Sequence, residues 1–300
     1  MVGVRLQDDG GERVSALRVN EQRGPMVMSS FAHFEVPTPG WFGHSDWQYV
    51  EEHDMYKAES PHSSVMLVKI VDGSHTKFVL DIAYSDGTQI KLKGSTFDAL
   101  CSAWFTPQPL ANKLASWALA GCPPELRREL RVLEPSAGEG AIARALIAAG
   151  VLEQNLTLIE LDPSRAARLE MQFPLATVWQ GDMFELLLRY SNKVWDLAVG
   201  NPPYDNGLDT IHMGALIRRV PNVTALLPLP FIASRERYET VWTQAFLHRM
   251  AVCVQRPKHI VTGGESGMTG KRDSVVFDIS TEPHDGRTLI EWWPDNQDGD

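Results

Sequence analysis

Cysteine is scarce in this 300-residue chain, which holds only Cys101, Cys122 and Cys253. Three scattered thiols exclude a disulfide framework or a zinc cluster, and such residues ordinarily behave as small buried hydrophobes, so no metal is expected. Long apolar runs are missing as well. None approaches the roughly 18 residues a membrane helix requires, so a soluble protein with no membrane partner is expected. The N-terminal stretch MVGVRLQDDGGERVSALRVNEQRG is charged throughout and lacks the apolar core of a signal peptide, which points to the cytoplasm. Neither an internal repeat nor a low-complexity tract is present.

Positive charge is also in short supply. The net charge of −10 argues against indiscriminate binding of nucleic acid. The deficit is uneven, however. Between residues 211 and 275 the basic residues Arg218, Arg219, Arg235, Arg237, Arg249, Arg256, Lys258, Lys271 and Arg272 outnumber the acids Glu236, Glu239, Glu265 and Asp273. They suffice for a local phosphate-binding face if they share a surface; a solvated face paired with the acidic remainder is the alternative.

The chain reads as two units divided near residue 100. Residues 1 to about 30 are polar and aperiodic, so a flexible start is expected. The segments SSVMLVKIV, KFVLDIAY and QIKLKG alternate apolar with polar residues and are separated by DGSH and SDGT, the pattern of a β-meander. Residues 1–100 thus form a β-rich N-terminal unit. Residues 101–300 alternate helix and strand, the signature of a parallel sheet covered on both faces. Predicted strands are RVLEP, LTLIE, ATVWQ, VWDLAVG, VTALLP, AVCVQ and SVVFDI; predicted helices are LANKLASWALAG, AIARALIAAG, PSRAARLEMQF (with Asp162 as N-cap), HMGALIRR and ERYETVWTQAFLH.

Glu134-Pro135-Ser136-Ala137-Gly138-Glu139-Gly140 lies between a predicted strand and a predicted helix. Small residues there let backbone approach a ligand, and the helix N-terminus offers free N–H groups. Gly138-x-Gly140-x-x-Ala143, with Glu160 at the next strand end, also fits a dinucleotide fingerprint. A nicotinamide-dependent oxidoreductase therefore stays open on this segment alone.

Asn201-Pro202-Pro203-Tyr204, at the end of the apolar strand Leu197-Ala198-Val199-Gly200, is the most specific signal. Two prolines fix φ near −65° twice and push Asn201 toward extended backbone, so the Asn201 carboxamide and the Pro202 carbonyl sit in a stiff turn. Two acceptors aimed at one point suit alkylation of a conjugated amine. Accepting a hydrogen bond from each N–H favours a tetrahedral nitrogen and localises its lone pair toward an incoming methyl. Tyr204 offers a flat face for stacking a planar acceptor, such as a base flipped from its duplex.

On these motifs the chain resembles the class I amino-methyltransferases, in particular the N6-adenine DNA methyltransferases whose cofactor motifs precede the catalytic Asn-Pro-Pro-Tyr. The resemblance covers about residues 104–280. It implies a Rossmann-like methyltransferase fold of class α/β with a mostly parallel seven-stranded sheet, and S-adenosylmethionine as cofactor. Phe105-Thr106-Pro107 matches the motif over the cofactor's methionine part, and Glu134-Pro135-Ser136-Ala137-Gly138-x-Gly140 the cofactor loop. Glu160 matches the acid that holds the ribose hydroxyls, with Leu161 beside the adenine; Asp182-Met183-Phe184 matches the contact to the adenine amino group. Leu227-Pro228-Leu229-Pro230-Phe231-Ile232-Ala233-Ser234 matches a later motif whose aromatic forms a second wall round the target base, a role for Phe231 or Tyr238, with core packing as the alternative. Thr262-Gly263-Gly264-Glu265-Ser266-Gly267, flanked by Lys258, Lys271 and Arg272, resembles the family's last hairpin, with contact to substrate phosphate and a bare hairpin loop as the two readings left open.

The implied catalytic residues are therefore Asn201, Pro202, Pro203 and Tyr204, and the expected partner is DNA carrying a target adenine. RNA amino groups and protein glutamine are alternative acceptors, and a catalytically silent nucleic-acid-binding subunit is a rival of another class. The large recognition domain carried by many relatives has no counterpart here, so short or relaxed sequence specificity is expected. The sequence leaves the oligomeric state open, a dimer included.

Overall fold

A computed structural model of the chain describes residues 47–50, 55–72, 75–94, 104–204, 207–261, 268–269 and 273–294. The expected flexible N-terminus, Cys101, the glycine-rich segment from Thr262 to Gly267, Lys271 and Arg272 lie outside them. The chain divides into two compact units close to residue 102.

The first unit is an antiparallel meander of five strands, β1 (Gln48–Val50), β2 (Met55–Glu59), β3 (Ser63–Asp72), β4 (His75–Tyr84) and β5 (Gln89–Gly94), paired in chain order. The alternation read in the sequence becomes one apolar face. Val65 lies opposite Ile82 and Leu67 opposite Leu80, with Ile82 opposite Ile90 on the next strand. All five side chains are buried, and cross-strand pairs of this kind are the unit of sheet stabilisation.

The second unit is built on an eight-stranded sheet. Its strands are β7 (Val132–Glu134), β8 (Leu156–Glu160), β9 (Thr177–Gln180), β10 (Leu197–Gly200), β11 (Asn222–Pro228), β12 (Phe246–Cys253), β15 (Ser274–Ser280) and β16 (Leu289–Trp293), in the spatial order β16-β12-β15-β11-β10-β7-β8-β9. Only β15 runs antiparallel to its neighbours. The helices are α1 (Gln108–Ala118), α2 (Pro124–Arg127), α3 (Ala141–Ala148), α4 (Pro163–Gln172), α5 (Met183–Arg189), α6 (Leu208–Ile217) and the single turn α7 (Arg235–Arg237). A small sheet of β6 (Trp104–Phe105), β13 (Lys258–Val261) and β14 (Met268–Thr269) completes the described elements.

Period-two alternation along the strands builds the two faces. Val132, Leu158, Val199, Leu226 and Val276 join α1, α3 and the end of α4 in one buried cluster, through Leu110, Leu114, Leu146, Leu169 and Phe173. The intervening Leu133, Ile159, Ala198 and Ala225 are equally buried and belong to the other face. Helix starts follow their caps: Asp162 accepts from the Arg165 N–H at 2.8 Å, as expected, and Asp182 from Glu185 at 3.1 Å.

The α/β class and the mostly parallel, Rossmann-like sheet are those expected, with two corrections. The sheet has eight strands, because Leu289–Trp293 pairs parallel to β12 beyond the strand expected to be last. The helix predicted over ERYETVWTQAFLH is only α7 and one wide turn, Tyr238–Trp242, and β12 already begins at Phe246. Its apolar residues suit either period, and pairing of Phe246 through Val252 with β15 decides for strand. Among the described residues no helix is long and apolar enough to cross a membrane.

Candidate active site

Sheet topology brings the two sequence motifs together. From β7 the chain winds outward through β8 to β9, then returns to lay β10 on the opposite edge of β7. The switch point thus lies between β7 and β10, where open α/β sheets bind ligands beyond the strands' carboxyl ends. The glycine loop leaves β7 there and Asn201-Pro202-Pro203-Tyr204 leaves β10. The strand end before the second loop abuts the first: a Cβ on Gly200, the last residue of β10, would stand 3.1 Å from the Pro135 ring.

Both loop glycines have left-handed backbone, Gly138 at φ +55° and Gly140 at +75°. Their uses differ. Gly140 heads α3, and a Cβ there would come within 2.6 Å of Phe173, so this glycine lets the loop pack on the end of α4. At Gly138 a Cβ would meet the Phe105 ring at 2.9 Å, which puts Phe105 directly on the loop. Pro135 and Ala137 are buried, Ser136 is half-buried, and the Ala137 N–H donates to the Ile159 carbonyl at 2.8 Å.

Two carboxylates lie at the ends of neighbouring strands. Glu134 is 1% exposed, and its Oε2 has no hydrogen-bond partner among the described residues. Burial pushes its carboxyl well above the usual range, and the Ala143 N–H and the Arg144 charge only partly oppose that. Glu160 is 5% exposed and well supplied. Its Oε2 accepts from the Gly138 N–H at 2.8 Å; its Oε1 accepts from the Asp162 N–H at 2.9 Å and from Arg165 Nε at 3.0 Å and Nη2 at 2.9 Å. Arg165 also lies over the Phe105 ring, 5.6 Å from its centre. Glu160 therefore serves the loop's own backbone, a role its sequence position did not disclose.

The other cofactor residues read from the sequence sit round the same strand ends. Leu161 is half-buried and its carbonyl accepts from Gln180 Nε2 at 2.9 Å. Met183 and Phe184 are buried at the head of α5, and the Phe184 ring meets His212 edge-on at 4.8 Å. Burial holds His212 neutral, with a pKa lowered to about 4.

In the second loop Pro202 is buried, while Asn201, Pro203 and Tyr204 are half-buried. Asn201 Nδ2 donates to Thr106 Oγ1 at 3.0 Å. The Tyr204 hydroxyl lies against Asn201 Oδ1 and 3.0 Å from the Leu226 carbonyl. Pro107, next to Thr106, is extended and leads into α1. Thus Phe105 touches the glycine loop and Thr106 touches the Asn-Pro-Pro-Tyr loop.

Phe231 is a correction. It is wholly buried, in van der Waals contact with Trp242 and Phe277 and beneath the Arg237 guanidinium, so its ring is core and not a wall for a substrate base. Tyr238 is 60% exposed, at the foot of α7. Before it Ser234 takes φ +110°, a value L-residues rarely adopt, with its side chain accepting from the Arg237 N–H at 3.3 Å. Arg237 ties this turn to α6 through the buried Asp209 at 3.3 Å and donates to the Pro230 and Ala233 carbonyls.

In the basic stretch the described side chains follow the second of the two readings, pairing within the chain. Arg219 donates to the Ser191 carbonyl, Arg237 pairs with Asp209, Arg249 with Asp278 and Arg256 with Asp273. These four are spent on partners within the fold. Arg235 pairs with Glu239 but is 90% exposed. Lys258 begins β13, which pairs with the strand carrying Phe105.

Sequence reasoning missed Arg165, Gly200 and the Thr106 to Asn201 bond. Gly200, the small residue directly before Asn201, carried the one local hint.

No family model matches this chain, and no curated protein does. Among solved structures it is similar to a type I restriction-modification methyltransferase subunit from Streptococcus thermophilus, at 12% identity and TM-score 0.46 over 65% of this chain and 50% of that one. It is similar to a TehB-like SAM-dependent methyltransferase from Corynebacterium glutamicum at 16% identity and TM-score 0.39, over 58% and 88% of the two chains. A 23S rRNA methyltransferase, ErmE, matches at 20% identity and TM-score 0.40 over 59% and 69%. All three likenesses are distant.

Proposed function

We propose that this chain is an S-adenosylmethionine-dependent methyltransferase acting on an exocyclic amino group, with N6 of adenine in DNA as the acceptor and short or relaxed sequence specificity. The observation that carries the reading is that the glycine loop and the Asn-Pro-Pro-Tyr loop leave the paired parallel strands β7 and β10 at the sheet's switch point and are bridged by Phe105 on Gly138 and Thr106 on Asn201. A nicotinamide enzyme would leave the second loop without a task.

The residues present fit the cofactor. Glu134 Oε2 is a buried carboxylate oxygen lacking a partner, and a ligand ammonium group of the methionine type would satisfy it. Glu160 has three donors on Oε1 and one on Oε2, so about one acceptor position is left for a ribose hydroxyl. Asp182, Met183 and Phe184 frame the adenine end, and the backbone of Phe105-Thr106-Pro107 the methionine end, with the Thr106 hydroxyl turned to Asn201. When bound, S-adenosylmethionine supplies a methyl on a positively charged sulfur.

Catalysis by the chain itself is positioning and electrostatics. Asn201 Oδ1 has two lone pairs, and in this structure the Tyr204 hydroxyl takes one. An acceptor NH2 occupies the other, or replaces Tyr204, and gives its second N–H to the Pro202 carbonyl. The nitrogen lone pair is then freed from the ring, and no base is needed before attack. Tyr204 stacks on the acceptor, and the exposed Tyr238 serves as the opposite wall in place of the buried Phe231. The choice of DNA rests on the resemblance of Phe105-Thr106-Pro107 and Glu-Pro-Ser-Ala-Gly; Lys258, Lys271 and Arg272 are proposed to meet its phosphates.

The test is transfer of labelled methyl from S-adenosylmethionine to DNA, RNA and protein in parallel. Label in DNA is expected; label in RNA or protein alone would move the acceptor, and no label in any would end the methyltransferase reading.

A further inference from the structure

We propose that Thr106 is a positioning residue for the Asn201 carboxamide, an inference that rests on the methyltransferase reading. Three observations lead to it. Thr106 Oγ1 accepts from Asn201 Nδ2 at 3.0 Å across 95 residues of sequence, and Thr106 is 8% exposed. Its neighbour Phe105 lies on Gly138, so the Thr106 backbone is anchored to the glycine loop. The other partner of the carboxamide, the Tyr204 hydroxyl, sits on the oxygen end and is shared with Leu226.

These contacts have unequal fates when an acceptor enters. A planar amine must reach Asn201 Oδ1, which the Tyr204 hydroxyl covers, and Tyr204 must turn its ring to stack. The contact from Tyr204 is therefore given up or weakened, and Thr106 is the partner that stays. A carboxamide turns easily about its last torsion, where two orientations differing by half a turn have similar shape. With the NH2 end turned toward the amine, donor would face donor and the lone pair would not be released. An acceptor held at the NH2 end keeps the oxygen toward the amine. It also leaves that oxygen more negative, since linked hydrogen bonds polarise one another. Thr106 thus acts through Asn201 and not on the reacting atoms, and it gives the Phe105-Thr106-Pro107 segment a task in the acceptor half of the site.

The experiment compares Thr106→Val, which keeps the shape and removes the hydroxyl, with Thr106→Ser, which restores it. Expected for Thr106→Val is a fall in kcat of about tenfold, the worth of one buried hydrogen bond, with the dissociation constant of S-adenosylmethionine within about twofold of wild type. Thr106→Ser should recover most of kcat. The readout independent of activity is the side-chain NH2 resonance pair of Asn201, identified in a 15N-asparagine-labelled protein by its loss in Asn201→Ala. It should shift and exchange faster in Thr106→Val and return in Thr106→Ser. An Asn201 pair unmoved by Thr106→Val overturns the proposal, as does loss of cofactor affinity with kcat intact. If the wild-type protein methylates nothing, the functional reading fails on its own, and the resonance still decides whether Thr106 holds Asn201.

Discussion

The ends of β7 and β8 each carry a buried glutamate, and the two are opposites. Glu160 is surrounded by donors: two backbone N–H groups and the Arg165 guanidinium. Glu134, on the adjacent strand, has an oxygen with nothing to bind and a carboxyl pushed up by burial. A satisfied buried charge is part of the scaffold, whereas an unsatisfied one costs stability and is kept where something else will pair with it. Equal depth in the protein thus conceals different surroundings: Glu160 shapes the glycine loop, and in the proposed function Glu134 is the one left for the ligand.

The largest expected effect comes from breaking the satisfied member. Glu160→Ala strands Arg165 and the Gly138 and Asp162 N–H groups, which should cost about 3–5 kcal/mol. Thermal unfolding should show a fall in Tm of roughly 6–20 °C; an unchanged Tm would refute the scaffold role.

Buried His212 sharpens the same contrast, as a group that folds only when neutral. Its folded pKa of about 4 lies below the ordinary 6.5, so protons bind the unfolded chain more readily between these values. Its contribution is complete above pH 6.5 and is lost as pH falls toward 4, by about 3 kcal/mol. Denaturant unfolding across that window should lose this amount in the wild type and markedly less in His212→Leu.

Glu134→Gln removes the unsatisfied charge and should move two measurements in opposite directions. Cofactor affinity should drop roughly ten- to hundredfold in calorimetric titration, since a charge-assisted bond is gone. The free protein should gain stability, a rise in Tm of roughly 2–4 °C. The sign follows from the raised pKa: burial disfavours the ionised form, so the penalty grows as pH rises above the ordinary carboxyl range and is absent below it. A variant that loses Tm and keeps affinity would show that Glu134 has a hidden structural partner.

The smallest effect concerns charge. Arg219, Arg237 and Arg249 are held by partners in the fold, Arg256 is in an exposed pair with Asp273, and the proposed phosphate contacts are Lys258, Lys271 and Arg272. Affinity for duplex DNA should fall with salt at a logarithmic slope of only about −2 to −3. A slope several times steeper would reveal a basic face made by other residues.

Most of the second unit was legible because its signals are local. Strand alternation, Pro163 and Asp162 at a helix start, the glycine loop and the paired prolines each act within a few residues. What was not legible is contact across the chain. Nothing near Phe231 announces Trp242 and Phe277 as its neighbours, and nothing near Arg249 announces Asp278. LIEWW is bounded by Asp285-Gly286 and Pro294-Asp295 but does not alternate apolar with polar residues, and it is the pairing with β12 that shows it to be a strand. The site divides in the same way. Asn201, Glu134 and the glycines were identified by type and position, but the donors on Glu160 and the Thr106 contact arise from three strand ends meeting.

The central claim is that the glycine loop and the Asn-Pro-Pro-Tyr loop form one methyl-transfer site. It is tested most directly by digesting DNA exposed to the protein and S-adenosylmethionine into nucleosides and measuring N6-methyl-2′-deoxyadenosine by mass spectrometry. The account predicts its accumulation with the wild-type chain and a loss of roughly a hundredfold or more with Asn201→Ala, the scale of one preorganised hydrogen-bond partner. Equal amounts from both proteins would contradict it.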